Sequence, residues 1–224
     1  RESSAYSDIH DGVVMPTAAK RAWARRERRG VREQGTEGRR IWGRELDERQ
    51  LQTVYDLYAE IYQRKWGYAT LTQGFFRELA QTMGDSLLVM LAYRHDQCVA
   101  GAIDFVGGSV LYGRHWGCFE HFDQLHFELC YYQGIEMAIE HGWQRFEPGA
   151  QGEHKIARGF LPVKTYSAHW LSHQDFPRAV ERYLAAEFQA MEQLMQELLD
   201  HSPLRASLSV TGLGTKMPLL LSHL

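Results

Sequence analysis

The chain has 224 residues, 44% of them hydrophobic and 24% charged, with a formal net charge of −3. This is the composition of an ordinary globular protein, long enough for one large domain or a domain with an appendage, and it excludes a globally basic nucleic-acid binder. Cys98, Cys118 and Cys130 are too sparse and too odd in number for a disulfide framework, which fits a reducing, cytoplasmic compartment.

No apolar run approaches the roughly 20 residues of a spanning helix, and the N-terminus lacks a charged-then-apolar signal layout. The chain opens on Arg1 rather than Met, which reads as a piece of a longer protein. Residues 1–19 are polar and aperiodic, a disordered lead-in. Residues 20–38 form a densely basic helical segment, KRAWARRERRGVREQGTEG. Such a run is either a solvated helix face or a surface that meets phosphate or another acidic partner.

The stretch 39–43, RRIWG, reads as a short strand. A helix follows, capped by Asp47, with Leu51, Val54, Tyr55, Tyr58, Ile61 and Tyr62 at helical spacing. Its tyrosines read as core. Thr72 to Met83 is a second, shorter helix. The period then changes to that of three strands, about 87–94, 98–106 and 109–116. Residues 125–142 form a helix with a stripe of Leu125, Leu129, Tyr132, Ile135 and Ile139 and a stop at Gly142.

WQRFEPG, 143–149, reads as a strand, 147–162 as a loop, and VKTYSAHWL, 163–171, as another strand. Residues 177–201 make a long amphipathic helix, and 203–224 a mobile tail. The order predicts an α/β (α+β) domain over 39–202: a mixed, mostly antiparallel sheet flanked by helices, with a long C-terminal helix.

The crossing point EPGAQGEHKIARGFLP concentrates chemistry. Glu147 ends a strand at the edge where open sheets place ligands. Gln151, Glu153, His154, Lys155 and Arg158 follow at once. Lys155 and Arg158 are three apart, so one helical turn points both the same way, a pair suited to phosphate or carboxylate. His115, Cys118, His121 and His126 also raise zinc, but their spacing matches no closed structural pattern. The alternative for that stretch is a substrate-lining loop, with Tyr112, Trp116 and Phe119 as apolar walls and His115 as a polar contact.

Three stretches carry a family resemblance: ARRERRGVREQG, LYGRHWGCFEHFDQLHFELCYYQGIEMAIEHG and RFEPGAQGEHKIARGFLPVKTYSAHW. They resemble the FemAB-like branch of the GNAT acyltransferase fold, in particular the predicted bacterial N-acyltransferases described as peptidoglycan biosynthesis or recognition proteins. The likeness spans roughly residues 20–200 and corresponds to the second of two GNAT-like halves, with residues 1–15 and the tail after Arg205 outside it. It implies transfer of an acyl or aminoacyl group to an amine, with acyl-CoA or aminoacyl-tRNA as donor substrate and a small molecule or peptidoglycan precursor as acceptor.

Proton transfer for that reaction points to Glu128, Glu153 and His154. Tyr112, Arg114, His115, Trp116, His126, Tyr131, Glu147, Gln151, Lys155 and Arg158 are the expected substrate-binding residues. A non-catalytic module binding a ligand or RNA through the basic helix is the alternative. Acetyl-CoA-dependent relatives carry Arg/Gln-x-x-Gly-x-Gly/Ala immediately before a helix, so that backbone N–H groups hold the pyrophosphate. Here RHWGCF begins with Arg114 and Gly117 but places Phe119 where a small residue is needed. The expectation is therefore a broken CoA cradle and a donor closer to aminoacyl-tRNA.

Overall fold

The computed structural model describes residues 18–64, 67–149, 153–163 and 176–200. The lead-in, the tail, Gln151 and the strand expected at 163–171 lie outside these. Ala22–Gly149 forms one compact unit, and the described residues after it belong to a second.

In the first unit α1 (Ala18–Glu33), whose residues before Ala22 group with the second unit, precedes β1 (Glu37–Trp42), a short 3-10 turn, α2 (Glu48–Arg64) and α3 (Gln73–Thr82). The meander β2 (Leu87–Arg94), β3 (Gln97–Gly107) and β4 (Val110–Cys118) follows. Then come α4 (Leu125–Phe127), a π-helical turn (Glu128–Tyr132), α5 (Gln133–Glu140) and β5 (Arg145–Glu147). The sheet order is β1-β2-β3-β4-β5. All pairings are antiparallel except β4 with β5, which is parallel. This is the mixed, mostly antiparallel sheet that the sequence order implies, and α4–α5 is the crossover a parallel pair requires.

Both faces of the sheet are covered, so Leu87 to Ala92 of the interior strand β2 are buried without a break. On one face Leu88, Met90, Ala100, Ala102 and Leu111 pack with Val31, Leu125, Leu129 and Met137. On the other, Leu87, Val89, Leu91 and Ile103 pack with Leu51, Val54, Leu57, Tyr58, Phe76 and Leu79 of α2 and α3. The basic helix contributes to this core through Val31, so it is not merely a solvated segment ahead of the domain. A Cβ at Gly134 would sit 2.6 Å from the Phe146 ring, so only glycine lets α5 lie this close to β5.

The second unit contains a 3-10 turn, Glu153–Arg158, and α6, Phe176–Asp200. The exposed large apolar residues of α6 include Leu184, Phe188, Met191 and Leu194, spaced to fall on one side of the helix.

Candidate functional site

One extra residue in β4 organises the first unit's polar side chains. Ile103 pairs with His115 but Asp104 pairs with Gly113, so Arg114 is a β-bulge. Because side chains alternate along a strand, one inserted residue exchanges the two faces beyond it. Leu111 lies on the α5 face before the bulge, and Trp116 and Cys118 lie there after it. His115 points to the α2 face. β5 accompanies β4 only over Val110 to Tyr112, and past that point the described residues give β4 no strand partner on this side.

On the α2 face the His115 ring meets Tyr58 edge-on, with centroids 5.1 Å apart. Tyr58 is buried, but its hydroxyl lies 3.1 Å from Thr70 Oγ1 and accepts from the Leu71 N–H at 3.2 Å. The Tyr62 ring is 4.9 Å from Tyr58, and a hydrogen bond to Tyr58 raises its pKa. Burial, aided by the neighbouring Arg114 cation, pushes the His115 imidazole down to about 4. His115 is thus a neutral acceptor at physiological pH, held beside two linked phenols.

On the α5 face Trp116 meets His126 at 5.2 Å, and His126 meets Tyr131 at 5.3 Å. The π-helical turn explains the second contact. Its wider winding turns i and i+5 toward one another, as it also does for Glu128 and Gln133. An uninterrupted α-helix over 125–142 would not bring these pairs together.

Glu128 opens that turn and is buried. Its Oε2 receives Arg28 Nε at 2.9 Å, and its Oε1 receives Arg28 Nη2 at 3.0 Å and Gln133 Nε2 at 2.6 Å. Arg28 also pairs with Glu136, which Arg40 joins in turn to Glu140. Glu136 is drawn below the usual carboxylate range by these arginines despite its burial, which acts the other way. Glu128 therefore ties α1 to the π-helical turn through a two-pronged Arg contact.

Asp104 is the contrasting carboxyl. It is 2% exposed, lies beside the bulge and accepts the Arg114 backbone N–H. Its Oδ2 has no hydrogen-bond partner among the described residues. Burial raises its pKa well above the ordinary value.

The remaining expected residues are distributed as follows. Tyr112 precedes the bulge and pairs in register with Glu147, which Arg145 approaches at 3.0 Å. His154, Lys155 and Arg158 share the 3-10 turn of the second unit, where Arg158 is buried and donates from Nη1 to the His154 carbonyl at 3.0 Å. Burial first, then Arg158 and Lys155, lowers the His154 pKa. Glu153 begins that turn. Among the described residues no group of three potential metal-ligating side chains converges. His115 and Trp116, with His126 against it, are on opposite faces of the sheet.

Sequence reasoning missed Tyr58, Tyr62, Arg28 and Asp104. Arg28 had a signal: Ala24, Glu27 and Val31 are buried at helical spacing, and Arg28 lies on the same side. Asp104 had one too, as a lone charge in the apolar run AIDFV.

The acetyl-CoA cradle can be tested directly against the segment after β4. The Phe119 and Glu120 N–H groups donate to the Val99 carbonyl at 2.8 and 3.4 Å. The Asp123 N–H donates to Gln34 Oε1 at 3.1 Å, and the Leu125 N–H to the Phe122 carbonyl at 3.3 Å. A Cβ on Gly117 would strike the Leu57 carbonyl, so that glycine serves the packing of α2 on β4. Phe119 is 47% exposed, and Glu120 and Asp123 add negative charge. These residues do not fit a diphosphate.

Residues 2–206 match the FemAB-like family, described by peptidoglycan biosynthesis/recognition, so the chain belongs to that family. The match runs through residues 2–15, which the sequence resemblance had set apart. No curated protein sequence matches the chain. Among solved structures, an aminoglycoside acetyltransferase from an uncultured soil metagenomic sample, in complex with sisomicin, is 12% identical, with a TM-score of 0.45 over 63% of this chain and 97% of that one. L-PGS from Bacillus licheniformis is 12% identical, with a TM-score of 0.42 over 59% and 40% of the two chains. Ribosomal-protein-alanine N-acetyltransferase from Brucella melitensis biovar Abortus 2308 is 9% identical, with a TM-score of 0.40 over 62% and 99%. Likeness at this level carries no argument about substrate. Among the described residues no helix is long and apolar enough to cross a membrane.

Proposed function

We propose that this member of the FemAB-like family is an N-acyltransferase that moves an acyl or aminoacyl group onto an amine, with a peptidoglycan precursor as the acceptor class and the cytoplasm as its place of work. The observation that carries this reading is the bulge at Arg114. It presents a neutral imidazole, two phenols and a strand edge that has no strand partner among the described residues.

Acyl transfer to an amine needs a proton acceptor, donors for the tetrahedral oxyanion and a held geometry. The amine lone pair attacks the donor carbonyl, and the C=O electron pair moves onto oxygen. Main-chain N–H groups of β4 beyond Tyr112, on the edge that no described strand covers, are the donors we assign to that oxygen. The amine proton passes to His115, and collapse of the intermediate expels the donor's leaving group, which takes up a proton. Tyr58 packs edge-on against the His115 ring, and Tyr58 with Tyr62 supplies a hydrogen-bonded path to Thr70.

In this reading Glu128 holds α1 against the π-helical turn rather than accepting protons, because Arg28 and Gln133 occupy both of its oxygens. Lys155 and Arg158 serve acidic groups of a substrate, with Glu153, His154 and Gln151 beside them in the chain. The segment after β4 does not fit a CoA diphosphate, which favours an aminoacyl-tRNA-type donor.

The test is amide formation from a charged tRNA or an acyl-CoA with a panel of amines, followed by mass spectrometry. His115→Gln should lower the rate by about 10²–10⁴ while the melting temperature holds.

A second reading has its own observation. Arg25, Arg26, Arg29 and Arg32 of α1 are exposed and would suit a non-catalytic RNA-binding role. It predicts equal binding of charged and uncharged tRNA, falling steeply with salt, and no product.

A further inference from the structure

The segment joining β4 to α4 borders a half-open cavity of about 310 Å³. Trp116, Phe122, His126 and Phe127 line it, with Glu120 and Asp123 also on its wall. Phe122 is buried and Trp116 is partly buried against the core, so this aromatic lining is fixed in place. The wall holds two carboxylates, and Arg94 offsets one of them by pairing with Glu120 at 3.3 Å. The same Arg94 guanidinium lies 5.3 Å from the Phe122 ring centroid, so that ring already accepts a cation. Asp123 has His121 as its nearest charged-capable neighbour, at 3.6 Å. Aromatic walls beside a carboxylate that, among the described residues, only a histidine pairs attract positive charge and repel phosphate. Four of the loop amides, those of Phe119, Glu120, Asp123 and Leu125, are already committed to Val99, Gln34 and Phe122.

We propose that this pocket is a recognition site for an organic ammonium group. It stands where an acetyl-CoA-dependent relative would hold a diphosphate, and its chemistry is of the opposite sign. The cation is held by the faces of Trp116 and Phe127, with Asp123 supplying the counter-charge. No bond is made or broken there. The inference does not depend on acyl transfer, because binding alone reports it.

The experiment is a titration of the full chain, followed by amide-resolved NMR, with three probes: choline, its uncharged isostere 3,3-dimethylbutan-1-ol, and CoA. Choline should bind about tenfold more tightly than the isostere, with shifts centred on 116–127. Asp123→Lys changes an exposed side chain, leaves the fold intact and should weaken choline at least about fivefold. Trp116→Leu should remove choline binding, and the spectrum of the rest of the sheet reports whether that variant is folded. CoA should leave the amides of 119–125 unmoved. Equal affinity for choline and its isostere would overturn the proposal. So would absence of choline binding, an Asp123→Lys variant that binds like the parent, or CoA shifts confined to 119–125.

Discussion

The two faces of β4 beyond Arg114 are one residue apart in sequence and unlike in chemistry. His115 faces α2, among hydrogen-bonded tyrosines and away from charge except for Arg114. Trp116 faces α4, beside an aromatic, acid-rimmed cavity and, one turn on, the ion pairs of Glu128. Ordinary alternation separates them, and the single inserted residue before them decides which of the two meets which face. The bulge therefore sets His115 on the proton-handling face and Trp116 on the recognition face.

Inserting an alanine between His115 and Trp116 should do the greatest damage. With pairing kept up to His115, it moves Trp116 into the place of Gly117 on the α2 face. Leu57 packs directly on Gly117, so no side chain fits there. Loss of several kcal/mol, enough to unfold a marginal domain, is expected. Circular dichroism against denaturant checks it, and a folded insertion variant of unchanged stability would contradict this register. Deleting Arg114, by contrast, removes the bulge and leaves His115 and Trp116 on their present faces.

His115→Gln comes next, and it sharpens the comparison by touching one face alone. Turnover should fall by about two to four orders of magnitude, with choline binding at the other face unchanged. Steady-state rates and the NMR titration on the same sample report both.

Arg28→Ala tests the opposite face. It leaves buried Glu128 without an arginine and Glu136 with Arg40 alone, at a cost of about 3 kcal/mol. Arg28→Lys should recover part of this, since one ammonium cannot reproduce the two-pronged contact. Thermal melts of the two variants rank them.

Asp104→Asn should have the smallest effect at low pH and a growing, stabilising one as pH rises. The sign follows from burial. Asp104 keeps its proton in the fold above the ordinary value of about 3.9, so the unfolded chain loses its proton first. Stability is therefore full below about pH 4 and declines as pH climbs toward the folded pKa. His115 acts in the other direction: its folded value, about 4, lies below the ordinary 6.5, so its share is full above 6.5 and lost as pH falls toward 4. Urea midpoints for parent and Asp104→Asn from pH 4 to 8 separate the two. Parallel curves would show that Asp104 is not held neutral.

Much of this architecture was legible in the sequence. Helix and strand periods placed α2, α3 and the β2–β4 meander within a few residues, because each carries an uninterrupted stripe. The site was less legible, for physical reasons. A bulge leaves no mark in GRHWG, because which strand residue is extra depends on its partner. A π-helical turn has no period of its own in five residues, so 125–142 read as one helix, and the pairs His126–Tyr131 and Glu128–Gln133 stayed hidden. Tyr58 read as core, which its ring is, while its hydroxyl needed Thr70 and Leu71 to become visible as a polar contact. Phe119 and the late helix start were readable, and the committed amides after β4 agree with the broken cradle they implied.

The most direct test of acyl transfer at the bulge is the pH dependence of the rate, measured for the parent chain and His115→Gln with whichever donor forms product. Burial holds the His115 pKa down at about 4, so the parent's rate, referred to the concentration of unprotonated amine, should stay level from pH 8 down to about pH 5 and fall only below that. His115→Gln should be slow throughout. A parent profile that bends near 6.5, or a His115→Gln variant as fast as the parent, would contradict the assignment of His115 as the proton acceptor.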